Sequence, residues 1–156
     1  MNNEYLKSTM PYPQANDLSK IYTMLIYIYR GEISIEELYE SFDIHMRQIK
    51  YYTDACIYIN LVYKSEGDYF LTKEGLDLIY TKNKLSRNAL LSKICLKTPS
   101  IKNSYLNYKK NNFFDKNYIK NQIITFQGNK YSNSTLNRRA TTVISWIKFI
   151  DINIDK

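Results

Sequence analysis

Histidine, cysteine and glycine are scarce in this 156-residue chain, and each shortage argues against one class of functional site. The only histidine, His45, leaves none to spare for a histidine-based metal site or a Ser-His-Asp arrangement. Cys56 and Cys95 lie far apart on apolar faces of predicted helices, and we interpret them as small buried hydrophobic residues. The four glycines form no Gly-rich phosphate loop.

Long apolar runs are also missing. No run approaches the ~20 residues of a membrane span, and the N-terminus (MNNE) lacks the basic and apolar regions of a signal peptide. A hydrophobic content of 44% with 24% charged residues is typical of a globular chain. We therefore expect a cytoplasmic protein without a membrane partner, built as one ordinary domain or two small ones.

Acidic residues are scarce only in the second half of the chain. Residues 1–84 carry nine Lys/Arg against twelve Asp/Glu, whereas residues 85–156 carry thirteen against three. The abundant Tyr, Ile, Asn and Lys are typical of an AT-rich genome, so the evidence lies in the distribution of charge and not in the lysine content. A half-chain this basic suggests a polyanionic partner, most often nucleic acid.

The first half contains the boundary signals of a winged-helix module, which we assign to residues 17–84 after an N-terminal arm, residues 1–16. We predict helices over 18–30, 34–42 and 45–59, with a turn at Asp43 and a left-handed C-terminal cap at Asn60. Alternating segments 61–66 and 69–72 around Gly67-Asp68 predict a hairpin. A short helix over 76–80 would close the module.

The second half, residues 85–156, reads as helices that end in a second helix-turn-helix unit. Ser86 is predicted to cap the first helix, Pro99 to interrupt the chain and Asp115 to cap a helix over 116–126. A last helix over 134–150 follows, capped by Ser134 or Ser132. Residues 150–155 alternate like one strand, which implies either a chain truncated before its wing or a strand paired with another chain. The expected fold class is mainly α with a small β-hairpin wing.

The last predicted helix has one apolar stripe and one polar, basic face. The stripe comprises Leu136, Ala140, Val143, Ile147 and Ile150. Arg138 lies on the polar face and Arg139 at its margin. A helix that opens on small polar side chains, two arginines and the positive end of its dipole can enter a major groove. A solvated surface helix explains the same pattern equally well.

Several of these segments carry a family resemblance. Residues 47–55 (RQIKYYTDA) and 58–62 resemble the recognition helix and first wing strand of a bacterial winged-helix family, and residues 134–147 are similar to its closing helix. Such tandem modules accompany type II restriction endonucleases and related restriction-modification proteins, and the resemblance, over about 17–150, implies recognition of target DNA. Asn60 replaces the glycine usual before the wing. No nuclease segment is present, which assigns any cleavage to another domain or chain.

We do not expect an active site within the chain itself. A restriction-nuclease core needs clustered carboxylates that hold Mg²⁺ close to a lysine. The acidic side chains of the first half fall in helix caps or on helix surfaces, and the second half is mostly basic. The sequence thus predicts no catalytic residue, no metal and no cofactor.

Sequence-dependent binding of double-stranded DNA is the leading hypothesis. In the first unit the predicted contacts are Arg47, Gln48, Lys50 and Tyr51, with Lys64 on the wing. In the second unit they are Lys130, Ser132, Asn133, Ser134, Thr135, Asn137, Arg138, Arg139 and Thr142. Two alternatives stay open: a transcriptional regulator that binds a palindrome as a homodimer, and a protein-interaction module that docks a nuclease or methyltransferase domain or subunit.

Overall fold

A computed structural model describes residues 13–42 and 44–156. Over these residues the chain forms eight helices and one two-stranded sheet. In chain order they are α1 (Ser19–Tyr29), α2 (Ile35–Ser41), α3 (Met46–Tyr58), β1 (Val62–Ser65), β2 (Asp68–Leu71), α4 (Lys73–Tyr80), α5 (Lys84–Cys95), α6 (Pro99–Asn111), α7 (Lys116–Gln127) and α8 (Asn133–Asn153). The expectation of a mainly helical fold with one small hairpin is confirmed. The predicted turn at Asp43 and residues 1–12 of the predicted arm lie outside the described residues.

Local capping signals set most helix starts. The side chains of Ser34, Asp115 and Ser132 accept hydrogen bonds from the first-turn amides of α2, α7 and α8. Two expected boundaries were wrong. Asn83 caps α5 and accepts from the amide of Ser86, the residue expected to be the cap. Pro99 opens α6 at its first turn, where the missing N–H of proline costs nothing.

The hairpin joins β1 and β2 as an antiparallel pair, with Ser65 opposite Asp68. Its two-residue turn is Glu66-Gly67, with φ of 51° and 89°, one residue before the predicted Gly67-Asp68. Positive φ at both turn residues fits the right-handed twist of the strands. Asn60 adopts the predicted left-handed conformation, with φ of 64°. The amide of Tyr69 also donates to the Ile33 carbonyl at 2.8 Å, which ties the hairpin to the α1–α2 connection.

The predicted strand over residues 150–155 was wrong, because α8 continues through Asn153. Ile150 and Asn153 are 0% and 8% exposed and face the interior. Asp151 lies on the outer side, 3.0 Å from the ammonium group of Lys109 on α6. Alternating isoleucines fit a strand, but Ile147, Ile150 and Ile154 also have helical spacing, and packing against the rest of the core favours the helix.

One hydrophobic core runs through both halves of the chain. Its buried residues extend without a break in contact from Ala15 to Ile150. The Tyr58 hydroxyl lies 3.2 Å from that of Ser100 on α6, and the Arg87 guanidinium lies 3.7 Å from the centre of the Tyr22 ring on α1. Because one core supports both halves, α3 and α8 hold defined positions relative to each other. Among the described helices, none is both long and apolar enough to cross a bilayer.

Candidate nucleic-acid interface

A cleft of about 860 Å³ opens between α3, α8 and the segment that leads into α1. Its lining is polar and aromatic. The residues are Gln14, Asn16, Asp17, Lys20, His45, Arg47, Gln48, Tyr51, Tyr52, Arg138, Thr141 and Thr142. Predicted contact residues from both halves of the chain thus meet in one place, although they are about 90 positions apart in sequence.

The amphipathic pattern of α3 directs its polar side chains into the cleft. Ile49 and Cys56 of α3, and Ile59 at its C-cap, are at most 2% exposed. Arg47 and Gln48 therefore lie on the outer face of the helix and are exposed. Tyr52 is buried against the base of the cleft, and this burial raises the pKa of its phenol.

The same logic places Arg138 on α8. The predicted apolar stripe from Leu136 to Ile150 is buried, and Arg138 projects from the opposite side. The Ser132 hydroxyl accepts from the Thr135 amide at 3.3 Å and caps the helix. One guanidinium nitrogen of Arg138 donates to the Thr135 hydroxyl at 3.3 Å. The capped first turn of α8 thus orients the exposed Arg138 through its hydrogen bond to Thr135.

Three consecutive residues before α1 tie α3 to α8, and we call Ala15, Asn16 and Asp17 the strap. The carbonyl of Ala15 accepts from the fully buried Trp146 indole at 2.7 Å. The Asn16 side chain accepts from the Thr142 hydroxyl at 2.5 Å. The Asp17 amide donates to the Tyr52 hydroxyl at 3.2 Å. Ala15 and Asn16 therefore hold α8, Asp17 holds α3, and the strap forms one wall of the cleft.

Arg139 and Thr142 are placed differently from expectation, since both are buried instead of exposed as direct contacts. Arg139 is 8% exposed, and its guanidinium lies 4.3 Å from the centre of the Tyr131 ring. Burial lowers the pKa of Arg139, while Tyr131, Tyr51 and Asp54 act in the opposite direction. Thr142 is 1% exposed and its hydroxyl is engaged by the strap. Both positions follow the apolar stripe more closely than the polar face of α8.

The other predicted contacts lie outside the cleft lining. Lys50 is paired with Asp54 at 3.5 Å. Lys64 on β1 and Lys130 before α8 lie over the rings of Tyr69 and Tyr131, at 5.4 and 5.3 Å. The remaining polar residues at the start of α8 are exposed or half-buried; they are Ser132, Asn133, Ser134, Thr135 and Asn137. None of these residues lines the cleft.

Three cations line the cleft and form no ion pair with any of the residues that the structure describes. Lys20, Arg47 and Arg138 line it together with one carboxylate, Asp17. The Asp17 carboxylate accepts from the amide and hydroxyl of Ser19 at 3.0 and 2.5 Å. Within residues 13–42 and 44–156 the ion pairs are Lys50–Asp54, Lys97–Glu74 and Lys109–Asp151. Three cations against one carboxylate favour an anionic ligand.

Sequence reasoning missed several cleft residues. The position of Thr141 could have been predicted, because it follows Arg138 by three residues on the same face of the helix. The positions of Gln14, Asn16 and Lys20 could not, since they depend on the contact between Ala15 and Trp146, 131 positions apart. His45 was noted only for being the single histidine, and it forms the N-cap residue of α3 at the cleft edge.

Neither a metal site nor a reactive thiol is found in the part of the chain that the structure describes. No group of three or more His, Cys, Asp or Glu side chains there is arranged to hold a metal ion. Cys56 and Cys95 are both fully buried, as predicted. Burial raises the pKa of the Cys95 thiol to about 12 and also raises that of Cys56. Both thiols are therefore protonated at neutral pH, and thiolate is the nucleophilic form.

These features define a mainly helical protein with a two-stranded hairpin and a cationic cleft between two of its helices. The chain belongs to the family described as a domain of unknown function (DUF7226), whose sequence profile matches residues 20–154. The match includes α3 and α8, which supply both arginines of the cleft. Neither a curated protein nor a solved structure matches the chain.

Proposed function

We propose that the chain binds double-stranded DNA in a sequence-dependent manner, as the target-recognition module of a restriction-modification protein. One observation carries the proposal. Arg47, Gln48 and Tyr51 from α3 and Arg138 from α8 were all expected to contact DNA, and all four line a single cationic cleft. The basic second half of the chain, with thirteen Lys/Arg against three Asp/Glu in residues 85–156, would add long-range attraction for a polyanion.

The side chains in the cleft suit both positioning and reading of DNA. Arginine donates to a phosphate, or to O6 and N7 of guanine in bidentate fashion, and glutamine pairs with the edge of adenine. Lys20 is suited to phosphate contact as a compact point charge. Gln48 is exposed next to Arg47 at the start of α3, where a recognition helix makes its base contacts.

The order of elements in the first half supports a winged-helix assignment for this module. Three helices precede the hairpin, and α4 closes it. The hydrogen bond from Tyr69 to Ile33 anchors the hairpin beside α1 and α2. In this assignment α3 is the recognition helix and the β1–β2 hairpin is the wing. Lys64, exposed on β1, is then the wing residue that contacts a neighbouring phosphate or minor groove.

Under this proposal the chain recognises the target and does not cleave it. Catalysis belongs to a nuclease or methyltransferase in another domain or subunit, as the resemblance of the recognition segments implies.

Fluorescence anisotropy with labelled duplexes over a salt series tests the proposal. The duplexes are a random-sequence pool and the sequences enriched from it by repeated selection on the protein. We expect affinity to fall steeply with salt and to be at least tenfold higher, ~1.4 kcal/mol, for selected sequences. Absence of binding to either duplex at low salt would overturn DNA recognition. Two protomers bound to an enriched palindrome would instead identify a dimeric regulator.

A further inference from the structure

One cleft contains an arginine from each half of the chain, which limits the distance between the DNA contacts of the two halves. Arg47 belongs to α3 and Arg138 to α8, yet both line the same cavity of about 860 Å³. Two side chains that line one cleft lie much closer together than the ~34 Å that separates the half-sites bound by a symmetric dimer. Successive phosphates of one strand advance about 3.4 Å along the helix axis. The cleft therefore suits a short run of successive phosphates on a single strand.

The strap fixes this separation. Ala15 and Asn16 are hydrogen-bonded to Trp146 and Thr142 of α8, and Asp17 is hydrogen-bonded to Tyr52 of α3. The bond between Ala15 and Trp146 is fully buried, and Thr142 is 1% exposed. The bonds of Asn16 and Asp17 are partly buried. Because the strap residues are consecutive, α3 and α8 cannot separate to follow two distant DNA segments without breaking one of these hydrogen bonds.

The arginines are available for a shared anion. Both are exposed, and neither forms an ion pair among the residues that the structure describes. Arg138 donates to the hydroxyl of Thr135, which orients the guanidinium without neutralising its charge. Two guanidinium groups that line one cleft can donate charge-assisted hydrogen bonds to the same phosphodiester segment.

We propose that Arg47 and Arg138 hold one continuous phosphodiester segment of a single DNA strand between them. A monomer then recognises one site shorter than a helical turn. This inference rests on the proposed DNA binding. It joins the contacts predicted separately for the first and second units into one stretch shared by α3 and α8. Asn16 and Thr142 then become positioning residues that set the width of the clamp.

A double-mutant cycle tests the shared segment. Arg47→Ala, Arg138→Ala and the double variant are compared with the unchanged chain on one selected duplex, with circular dichroism as the check on folding. Each single change is expected to weaken binding roughly tenfold, and the double change less than thirtyfold, because either loss already opens the clamp. Lys64→Ala, on the wing outside the cleft, provides the control pair with Arg138→Ala. The fold-losses in affinity caused by Lys64→Ala and Arg138→Ala are expected to multiply in the double variant.

Phosphate-ethylation interference on the same duplex locates the contacts. We expect Arg47→Ala and Arg138→Ala to abolish interference at phosphates within about four nucleotides of each other on one strand. Multiplicative effects of the two arginine changes, or affected phosphates about ten nucleotides apart, would overturn the clamp and leave DNA binding itself intact. If the unchanged chain binds no duplex, the proposed function fails and the clamp fails with it.

Discussion

At the residue scale, solvent exposure distinguishes the arginine that packs beside the cleft from the arginine that is available to a ligand. Arg139 is 8% exposed, and it rests on Tyr131 beside α3. Arg138, its neighbour in sequence, is exposed in the cleft. A side chain that is mostly desolvated contributes by packing and by holding its neighbours, whereas an exposed cation can exchange water for a phosphate. The two adjacent arginines therefore have different roles.

The half-buried carboxylate of Asp54 gives a testable pH dependence. Its side chain is 15% exposed beside Lys50, and burial raises its pKa above the usual aspartate value, while Lys50 and Lys64 act in the opposite direction. The folded state therefore binds this proton more readily than the unfolded state. The stability that Asp54 contributes is complete below its unfolded pKa of about 3.9 and is lost as pH rises through the folded value.

Asp54→Asn should remove the loss of stability that occurs as pH rises. We expect the stability of the variant relative to the unchanged chain to be more favourable at pH 7 than at pH 3.5, as measured by urea unfolding at both values. Asp77→Asn, at an exposed position on α4, is the matched control for loss of a carboxylate. An equal or less favourable difference at pH 7 would contradict the assigned role of burial.

At the scale of elements, the helix boundaries that could be predicted from the sequence were those set by neighbouring residues. The cap at Asp115 and the left-handed Asn60 depend on neighbours within a few residues, and both were predicted. Asn83 and Ser86 are equally good capping residues, so local reasoning chose the wrong one. The fate of residues 150–155 depends on the core and on the Lys109–Asp151 pair, which are contacts that periodicity alone does not contain.

The closure of the hairpin by α4 depends on a glycine. A Cβ on Gly75 would lie 2.3 Å from the Leu61 carbonyl oxygen. That oxygen accepts from the Thr72 amide at 3.0 Å, and the Thr72 hydroxyl both donates to the Asn60 carbonyl at 2.7 Å and caps α4. The base of the hairpin thus has no room for a side chain, because backbone groups occupy the space.

Gly75→Ala should therefore destabilise the protein. Alanine gains about 1 kcal/mol in helix propensity, while overpacking against backbone costs about 1–3 kcal/mol, and at 2.3 Å the clash is severe. We expect a net loss of about 1–2 kcal/mol in urea unfolding. Asp77→Ala on the same helix is the control and should not lose comparable stability. A Gly75→Ala variant as stable as the unchanged chain would contradict this packing.

At the scale of the whole molecule, the shared core joins halves that the sequence suggested as separate modules. The faces of α3 and α8 that line the cleft could be predicted, because helical periodicity assigns Arg47 and Arg138 to the polar sides. The cleft itself could not, since the strap connects residues such as Ala15 and Trp146 that are 131 positions apart. Only the folded chain brings Asn16 and Lys20 to the same site.

The shared core predicts that both halves unfold together. Cys56 lies in the first half and Cys95 in the second, and both are 0% exposed, so thiol labelling reports each half. In the variants Cys56→Ala and Cys95→Ala, each with one remaining thiol, labelling across a urea series should show a protection midpoint that coincides with the loss of helical circular dichroism for the same variant. Labelling of one thiol well before the helical signal is lost would show that its half unfolds alone.

Comparison of two charge-matched variants tests most directly whether the cleft between α3 and α8 binds DNA. Arg138→Gln removes a cation that lines the cleft, while Lys110→Gln removes an exposed cation on α6 outside it. Anisotropy on a selected duplex should show about tenfold weaker binding for Arg138→Gln and less than about twofold for Lys110→Gln, whose surface cation acts only at long range. Equal effects of the two changes would contradict recognition by the cleft and leave only nonspecific attraction to a basic surface.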